Sequence, residues 1–347
     1  MKTILNGIRI KAISSWLPTH ILEMQKLSSI YGEEQVNNII KTTGVERVRI
    51  ADKEMTASDM CQQAAEHLIY KEDLEKSNID GLVFVSQTTD YLLPSTSVCL
   101  QERLGLSKET ICIDIHYGCS GYIYGIFQAA LWITTGVCKN VLVLAGDTTS
   151  RLINENDRAS RMVFGECGTA TLVTTGDFPI GFNIQSDGSG ADKLIVPAGG
   201  FRTPASNKTA VLEWDEDHNG RTKNDLYMDG LAVFSFATIC VPKNIRELLG
   251  VMKWNKEDVG LFALHQANNF VVNYIARKLK EPDKVPTNVM NYGNTGPSSI
   301  PLIFSDLCAD GKYKLDKVVS CGFGVGFSWG SFATDLSQTT FYSPINK

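Results

Sequence analysis

Short apolar runs alternate with longer segments of helical periodicity along the chain. The apolar runs are rich in Val, Leu, Ile and Phe, as is typical of strands buried on both faces, and they lie at residues 81–85, 141–145, 260–264 and, more weakly, 318–321. Between them, residues 122–134 and 268–279 repeat apolar side chains at helical spacing. This alternation predicts an α/β protein with a mostly parallel sheet.

Two hexapeptides resemble each other, His-Tyr-Gly-Cys-Ser-Gly at 116–121 and Asn-Tyr-Gly-Asn-Thr-Gly at 291–296. Each is predicted to end an extended run and to open a helix or turn. Lys139 and Lys317 precede strands and follow the two hexapeptides at nearly the same spacing, and the strands predicted from Gly81 and Gly260 precede them in the same way. The strand starts, the hexapeptides and the lysines thus occur twice in the same order and at nearly the same spacing, which indicates an internal duplication.

The duplication predicts two related halves, residues 1–178 and residues 179–347. Residues 197–226 are rich in Gly, Pro, Asn, Asp and Thr and are predicted to form an inserted loop, and residues 86–100 form another. In duplicated α/β sheets we expect the active site where strand ends from the two halves meet.

Charge and composition exclude several classes of function. The net charge of −5 argues against nucleic acid as a partner, because phosphate binding needs a basic surface. No run approaches the roughly 20 apolar residues of a membrane span, and the first residues lack the apolar core of a signal peptide. The nine cysteines never form CxxC pairs, so we expect reduced thiols, a cytoplasmic location and no metal site.

Cys119 is the leading candidate for chemistry. Gly118 and Gly121 flank it at a predicted junction of strand and helix, and we expect them to let the backbone approach a ligand closely. The positive end of a helix dipole favours a thiolate, so we expect a lowered thiol pKa. Backbone N–H groups at that position would stabilise the oxyanion formed from a thioester.

Two polar residues complete the candidate set. His265 ends the third predicted strand, and Asn294 is the counterpart of Cys119 in the second hexapeptide. Together with the thiol they supply a nucleophile and two groups able to hydrogen-bond a thioester carbonyl. The glycine-rich residues 322–330 lack the GxGxxG spacing of a dinucleotide site and are better explained as a turn that brings N–H donors to a substrate carbonyl.

The chain resembles the β-ketoacyl-acyl carrier protein synthase III branch of the thiolase-like condensing enzymes over essentially its whole length. The matching motifs occur in the same order and are Tyr-Gly-Cys-Ser-Gly around Cys119, His-Gln-Ala-Asn at 265–268, Asn-Tyr-Gly-Asn-Thr-Gly at 291–296 and Gly-Phe-Gly-Val-Gly-Phe-Ser-Trp-Gly at 322–330. The resemblance implies a five-layered αβαβα fold, a homodimer, and acyl-CoA or acyl-carrier thioesters as substrates, with no bound cofactor.

The same resemblance implies roles for individual residues. Cys119 would carry the acyl group, and His265 and Asn294 would bind the carbonyl of a malonyl group that loses CO₂ on its acyl carrier protein. The backbone N–H groups of Cys119 and Val325 would form the oxyanion hole, and Phe323 would contact substrate. Leu93, on a loop that crosses the dimer axis, would reach the acyl pocket of the partner.

The departures from the family pattern concern substrate binding. Asn38 and Thr42 stand where members that use acetyl-CoA carry Trp and Arg, although Arg158 matches another arginine on the nucleotide side. Phe270 replaces an arginine used in carrier docking, which leaves Arg277 and Lys278 as a small basic patch. These differences suggest a specialised enzyme of fatty acid, lipid or polyketide synthesis. Two alternatives stay open, an acyltransferase that forms an ester or amide and a non-catalytic partner subunit.

Overall fold

The computed structural model describes residues 1–346, so Lys347 at the end of the predicted second half lies outside the described part. The strands are β1 Lys2–Trp16, β2 Ile21–Glu23, β3 Arg47–Arg49, β4 Gly81–Val85, β5 Ile111–Ile115, β6 Asn140–Asp147, β7 Cys167–Thr175, β8 Phe178–Ser186, β9 Leu194–Ile195, β10 Glu213–Trp214, β11 Gly220–Arg221, β12 Tyr227–Met228, β13 Leu261–Leu264, β14 Val318–Gly324, β15 Ser328–Thr334 and β16 Thr340–Phe341.

The α-helices are α1 Ser28–Tyr31, α2 Glu33–Thr43, α3 Ala57–Lys71, α4 Thr96–Arg103, α5 Gly121–Thr134, α6 Arg158–Arg161, α7 Gly230–Met252, α8 Asn269–Leu279, α9 Val289–Tyr292 and α10 Ser299–Leu307. The four strands and two helices predicted from the apolar pattern are all present, with bounds that differ by at most three residues at either end. No helix within residues 1–346 has the length and apolar character needed to cross a membrane.

The strands of the large sheet follow the order β13-β14-β15-β8-β1-β7-β6-β4-β5, and β16 pairs with β1. The expected mostly parallel sheet is wrong. Within residues 1–346, the parallel strand pairs of this sheet are β4 with β5, β4 with β6, β13 with β14, and β1 with β16. The other five pairs of the sheet are antiparallel, namely β1 with β7, β1 with β8, β6 with β7, β8 with β15, and β14 with β15. A continuous apolar run indicates that both faces of a strand are buried. It does not indicate whether the neighbouring strands are parallel or antiparallel, because helices can cover both faces in either case.

Alternating residues of each strand face different helical layers. In β4, Val83 and Val85 pack with α5, whereas Leu82 and Phe84 pack with α3 and α4 on the other face. The helices α5 and α10 lie in the middle, between β4, β6 and β7 on one side and β8, β13 and β15 on the other. The helices α7 and α8 cover the outer face of the second group of strands. These contacts form the αβαβα layers of the predicted thiolase-like fold.

The predicted boundary between the halves, after residue 178, lies at the start of β8. The strands β7 and β8 are joined by a two-residue turn, and both pair with β1 along different parts of its length. The two-half description stays a prediction. The loop predicted over 197–226 is irregular and holds the hairpin of β10 with β11.

Candidate active site

Cys119 lies in the short connection between β5 and α5, as the sequence predicts. The helix α5 is apolar along most of its length and is held in the central layer, where Tyr122 and Ile126 are fully buried. The connection is tight, because the amide of Gly121 donates to the carbonyl of Gly118 at 2.7 Å. The thiol side chain therefore lies two residues before a buried helix, with only 8% of the residue exposed.

The two glycines beside Cys119 serve packing against the protein itself. A Cβ on Gly118 would lie 2.2 Å from Oε1 of Gln87, and a Cβ on Gly121 would lie 2.5 Å from Cγ1 of Val85. Gln87 and Val85 therefore occupy the space that side chains at these positions would take. Gly118 also lines the small cavity beside the thiol, and the approach of a ligand to its backbone stays a prediction. Gly324 is likewise close to the thiol, because a Cβ at that position would lie 3.1 Å from Sγ of Cys119.

A small cavity of about 40 Å³ opens beside Cys119, and its walls come from both predicted halves. Val325 and Gly296 line it together with Thr88 and Asp147. A larger cavity of about 920 Å³ shares six of these wall residues, which are Gln87, Thr88, Leu152, Leu194, Leu226 and Val325. The two spaces adjoin, so a group attached to Cys119 could extend into the larger one.

The backbone of Val325 and that of Cys119 are tied together by two serines. Ser328 donates its hydroxyl to the carbonyl of Val325 at 2.7 Å. Because that proton is already used, the 2.7 Å contact between the hydroxyls of Ser120 and Ser328 is donated by Ser120. The loop after β14 and the segment just before α5 are thereby held together, and the oxyanion hole formed by their N–H groups stays a prediction.

The thiol of Cys119 is not activated in the resting protein. Burial raises its pKa to about 12, and the nearby carboxylate of Asp147 acts in the same direction. The expectation of a lowered thiol pKa is therefore wrong. The loss of hydration and the neighbouring negative charge outweigh the backbone N–H of Cys119, which acts in the lowering direction.

Asp147, the last residue of β6, is a site residue that the sequence reading missed. Its Oδ1 accepts from the hydroxyl of Ser86 at 2.8 Å, from the amide of Gln87 at 2.7 Å, and from the amide and hydroxyl of Thr88, both at 3.2 Å. Burial raises its pKa to about 6 despite these bonds. Its place at the end of a predicted buried strand was the available signal.

His265 follows β13, and its amide donates to the carbonyl of Cys321 on β14 at 2.9 Å. The ring is almost fully buried, with Nδ1 2.7 Å from Oγ of Ser299 and the edge of the Phe323 ring against it at a centroid distance of 5.2 Å. Burial lowers the pKa of His265 to about 3, and the Gly296 carbonyl acts weakly in the other direction. The imidazole is neutral at neutral pH.

Asn294 is held through its backbone by the segment that follows α6. Its amide donates to the carbonyl of Val163 at 2.8 Å, and its carbonyl accepts from the amide of Gly165 at 3.0 Å. Its Oδ1 accepts from the amide of Gly296 at 3.0 Å, and Nδ2 has no hydrogen-bond partner within residues 1–346. The extended run predicted before this hexapeptide is wrong, because the short helix α9 stands there, and four residues are too few for the pattern to reveal it.

Gly296 is the point at which the candidate residues converge. Its amide bonds Asn294, its carbonyl faces the ring of His265, and it lines the cavity beside Cys119. The structure thus brings Cys119, His265, Asn294 and Val325 to one place, although their catalytic roles stay predictions.

None of the predicted binding residues lines either cavity. Phe323 is buried against His265 and lines neither cavity, while Arg158 donates to the carbonyl of Asp217 at 2.6 Å. Leu93 is 86% exposed at the tip of its loop. Phe270 is half-exposed and stacks on Phe234.

Arg277 and Lys278 lie at the C-terminal end of α8, the helix whose first turn carries Phe270. The ammonium group of Lys278 lies over the ring of Tyr274 at 5.6 Å. Both cations are exposed, and neither lines the two cavities described above. They belong to the protein surface, at a distance from the thiol.

Two family models match the chain. Residues 113–188 match 3-oxoacyl-[acyl-carrier-protein] synthase III, and residues 249–336 match the C-terminal region of the same family. The first match contains Cys119, and the second contains His265, Asn294 and Val325.

Curated relatives and solved structures agree with these models. The β-ketoacyl-[acyl-carrier-protein] synthase III of Campylobacter concisus is 33% identical over 328 residues, which cover 92% of this chain and 94% of that protein. The crystal structure of 3-oxoacyl-(acyl-carrier protein) synthase from Burkholderia xenovorans LB400 is 35% identical, with a TM-score of 0.93 and coverage of 100% of this chain and 99% of that chain. The synthase III of Aquifex aeolicus, at 28% identity, gives a TM-score of 0.80 and coverage of 95% and 100%. The chain therefore belongs to the 3-oxoacyl-[acyl-carrier-protein] synthase III family and is a condensing acyltransferase with the thiolase-like fold.

Proposed function

We propose that the protein transfers an acyl group from a thioester to Cys119 and then joins it to a malonyl group on acyl carrier protein, with loss of CO₂. The observation that carries this proposal is the meeting of the buried thiol, the neutral imidazole and the free amide donor of Asn294 around Gly296. A thiol alone would suit many reactions. A thiol can carry the acyl group, and two uncharged hydrogen-bond donors beside it can stabilise an enolate that attacks this acyl-cysteine.

In the first step, the sulphur of Cys119 attacks the thioester carbonyl of the donor. The thiol proton leaves during this attack, because the pKa of about 12 keeps the resting thiol protonated. The new C–S bond replaces the C–S bond to the donor, whose sulphur departs as a thiol. The N–H groups of Cys119 and Val325 would bind the oxyanion, and losing one such donor costs about 2.7–4 kcal/mol of transition-state stabilisation.

In the second step, His265 and Nδ2 of Asn294 hydrogen-bond the thioester carbonyl of the malonyl group. Cleavage of the bond to the carboxylate releases CO₂ and leaves its electron pair as an enolate, which these donors stabilise. The enolate carbon then attacks the acyl carbonyl on Cys119, so that a C–C bond forms and the C–S bond breaks. The electron pair of the broken bond stays on the sulphur as a thiolate, which takes a proton from water and returns to the thiol. A neutral histidine suits this step, since a low pKa lets the ring act as a hydrogen-bond donor without holding a full positive charge.

The surface residues favour a donor carried by protein over coenzyme A. Asn38 and Thr42 are exposed on α2, and the hydroxyl of Thr42 donates back to the carbonyl of Asn38 at 2.8 Å. They offer neither an aromatic plane nor a guanidinium to an adenine, and Arg158 is already bonded to Asp217. We propose acyl carrier protein as the partner in both steps, with acyl-CoA as the weaker donor, and no bound cofactor.

Carrier docking is proposed at the start of α8 and along its exposed face. Phe234 and Phe270 stack at a centroid distance of 5.1 Å, and the cations of Arg277 and Lys278 lie at the far end of the same helix. An apolar contact flanked by cations suits a carrier protein with an acidic surface. The helix begins directly after the His-Gln-Ala-Asn segment, so a partner bound at its start would lie close in sequence to His265.

A homodimer in the cytoplasm is proposed as the working form. Tyr91, Leu92 and Leu93 are exposed by 61%, 82% and 86% on one loop, an unusual concentration of apolar surface. Leu92 also borders the larger cavity. A second copy that covered this loop would remove it from water and bring Leu93 to the cavity of its partner.

Peptide-resolved mass spectrometry tests the first step. The protein is incubated with acyl-CoA and with acyl-carrier donors of increasing chain length, and an acyl adduct is expected on Cys119 alone. The variant C119S and the matched variant C308S, which removes another buried thiol, serve as controls. An adduct that persists in C119S, or that is absent with every donor, contradicts the proposal.

A further inference from the structure

The hydroxyl of Ser299 makes a short hydrogen bond with the ring of His265. Oγ of Ser299 lies 2.7 Å from Nδ1, and both residues are only 1% exposed. Ser299 is the first residue of α10, a helix whose first two turns are fully buried in the central layer. The contact therefore joins the strand end that carries His265 to the helix that follows Asn294, and it is shielded from water.

The direction of this bond follows from the partners available. A serine hydroxyl has one proton to donate, and a buried donor without an acceptor costs about 1–3 kcal/mol. Within residues 1–346, Nδ1 is the only hydrogen-bond partner of the Ser299 hydroxyl. If Nδ1 carried a proton and donated it to Oγ, the hydroxyl proton would have no acceptor. Ser299 therefore donates to Nδ1.

The neighbouring serine behaves differently and offers a matched comparison. Ser298 is also fully buried, and its hydroxyl donates to the carbonyl of Thr295 at 2.7 Å. Its bond closes the turn before α10 and does not reach the imidazole. A variant of Ser298 therefore tests the hydrogen bond of the turn, whereas a variant of Ser299 tests the hydrogen bond with the His265 ring.

We propose that Ser299 is a positioning residue that holds neutral His265 in the tautomer with its proton on Nε2, so that Nε2 donates to the malonyl thioester carbonyl. A neutral imidazole has one N–H, and the hydrogen bond at one nitrogen decides which nitrogen carries it. With Nδ1 occupied as an acceptor, the ring presents an N–H at Nε2. The tautomer assignment stands on the hydrogen bond alone, while the role in decarboxylation rests on the function proposed above.

Removal of the hydroxyl changes the partners of the ring. In S299A, Nδ1 loses the hydroxyl that donates to it. The selection of the Nε2–H form is then lost. Decarboxylation and condensation should slow about tenfold to a hundredfold in kcat, with a smaller change in KM, since the hydrogen bond from Nε2 strengthens as the carbonyl oxygen takes on the charge of the enolate. Loading of Cys119 should stay within about twofold, because His265 has no assigned role in that step.

The test combines nitrogen NMR of ¹⁵N-histidine-labelled protein with the two half-reactions. The intact protein should show His265 as the Nε2–H tautomer, and S299A should lose that preference. The variant S299T keeps a hydroxyl, so it should recover both the Nε2–H tautomer and the rate of condensation. S298A should leave the tautomer unchanged. The proposal is overturned if the intact protein shows Nδ1–H, or if S299A keeps the Nε2–H tautomer. If the tautomer shifts as expected but no malonyl decarboxylation occurs even in the intact protein, the proposed function fails while the assignment of Ser299 stands.

Discussion

Gly324 and Cys119 are in such close contact that a Cβ placed on Gly324 would lie 3.1 Å from Sγ and 2.9 Å from Cβ of the cysteine. The variant G324A should therefore displace the thiol from the amide donors of Cys119 and Val325. Misplacement of a reacting group by about 1 Å costs up to about a hundredfold in rate, so acyl loading should slow by about tenfold to a hundredfold. Quenched-flow loading followed by intact-mass measurement gives this rate.

The matched control is G250A, because a Cβ on Gly250 meets nothing within 4 Å. This glycine lies in α7, where alanine is the better helix former by about 1 kcal/mol. Loading should be unchanged and thermal stability slightly raised. Equal loading rates for G324A and the intact protein would show that the contact does not place the thiol.

The charge of Asp147 predicts a distinct pH dependence for alkylation of Cys119. The carboxylate opposes formation of the thiolate, so D147N should lower the thiol pKa and speed alkylation by iodoacetamide. Because the pKa of Asp147 is about 6, the carboxyl is neutral below that pH and the two proteins should then react alike. At pH 8 the variant should react roughly threefold to tenfold faster.

Peptide-resolved rates between pH 5 and pH 9 measure this effect. D306N, which alters a half-buried carboxyl bonded to Asn288 and Tyr292, serves as the control and should follow the intact protein. A constant ratio of D147N to intact rates across the whole range would contradict the electrostatic account, since loop rearrangement alone carries no such pH dependence.

The buried His265 predicts a loss of stability in mild acid. Its pKa is about 3 in the folded protein and about 6.5 when unfolded, so below pH 6.5 the unfolded chain binds a proton that the native state does not. Stability should therefore fall as the pH decreases from 6.5 toward 3. At pH 5 the cost is about 2 kcal/mol, at 1.36 kcal/mol for each pH unit.

Urea unfolding at pH 7.5 and pH 5 tests this linkage. H265Q should lose about 2 kcal/mol less than the intact protein over that interval. H20Q, which alters an exposed histidine, should lose as much as the intact protein. Equal losses in H265Q and the intact protein would show that His265 is not held neutral by the fold.

The proposed carrier-docking surface predicts a salt-dependent KM. The double variant R277A/K278A should raise the KM for malonyl-carrier by about threefold to tenfold at low ionic strength, and the difference should shrink at high salt as the charges are screened. The kcat should be unchanged, because neither residue borders the cavities near Cys119. K312A, at a lysine that lies over Tyr313, is the control. No change in KM at any salt concentration would exclude this surface.

Much of the site could be predicted because its signals are local. The apolar run at 81–85 and the helix after Cys119 follow from side-chain patterns, and the resemblance of the two hexapeptides nominated Asn294 without any structure. The direction of the strands did not follow, since burial on both faces gives the same apolar run in parallel and antiparallel neighbours.

The groups that surround the candidate residues could not be predicted from local patterns. Asp147 and Ser299 contact Thr88 and His265 across long stretches of chain, and a single Asp or Ser carries no mark of such a contact. The thiol pKa was wrongly expected to be low because helix position is visible in the sequence, whereas the burial of Cys119 is not.

A single-turnover reaction tests the central claim most directly. Protein carrying an acyl group on Cys119 is mixed with malonyl-carrier, and the acyl-enzyme, the released CO₂ and the carrier product are measured together. In the intact protein, one CO₂ should be released for each acyl-cysteine consumed, and a 3-oxoacyl product should form on the carrier. The variants H265A and N294A should keep the acyl group on Cys119 and release no CO₂. Discharge of the acyl group to a hydroxyl, an amine or water without CO₂ would contradict the central claim.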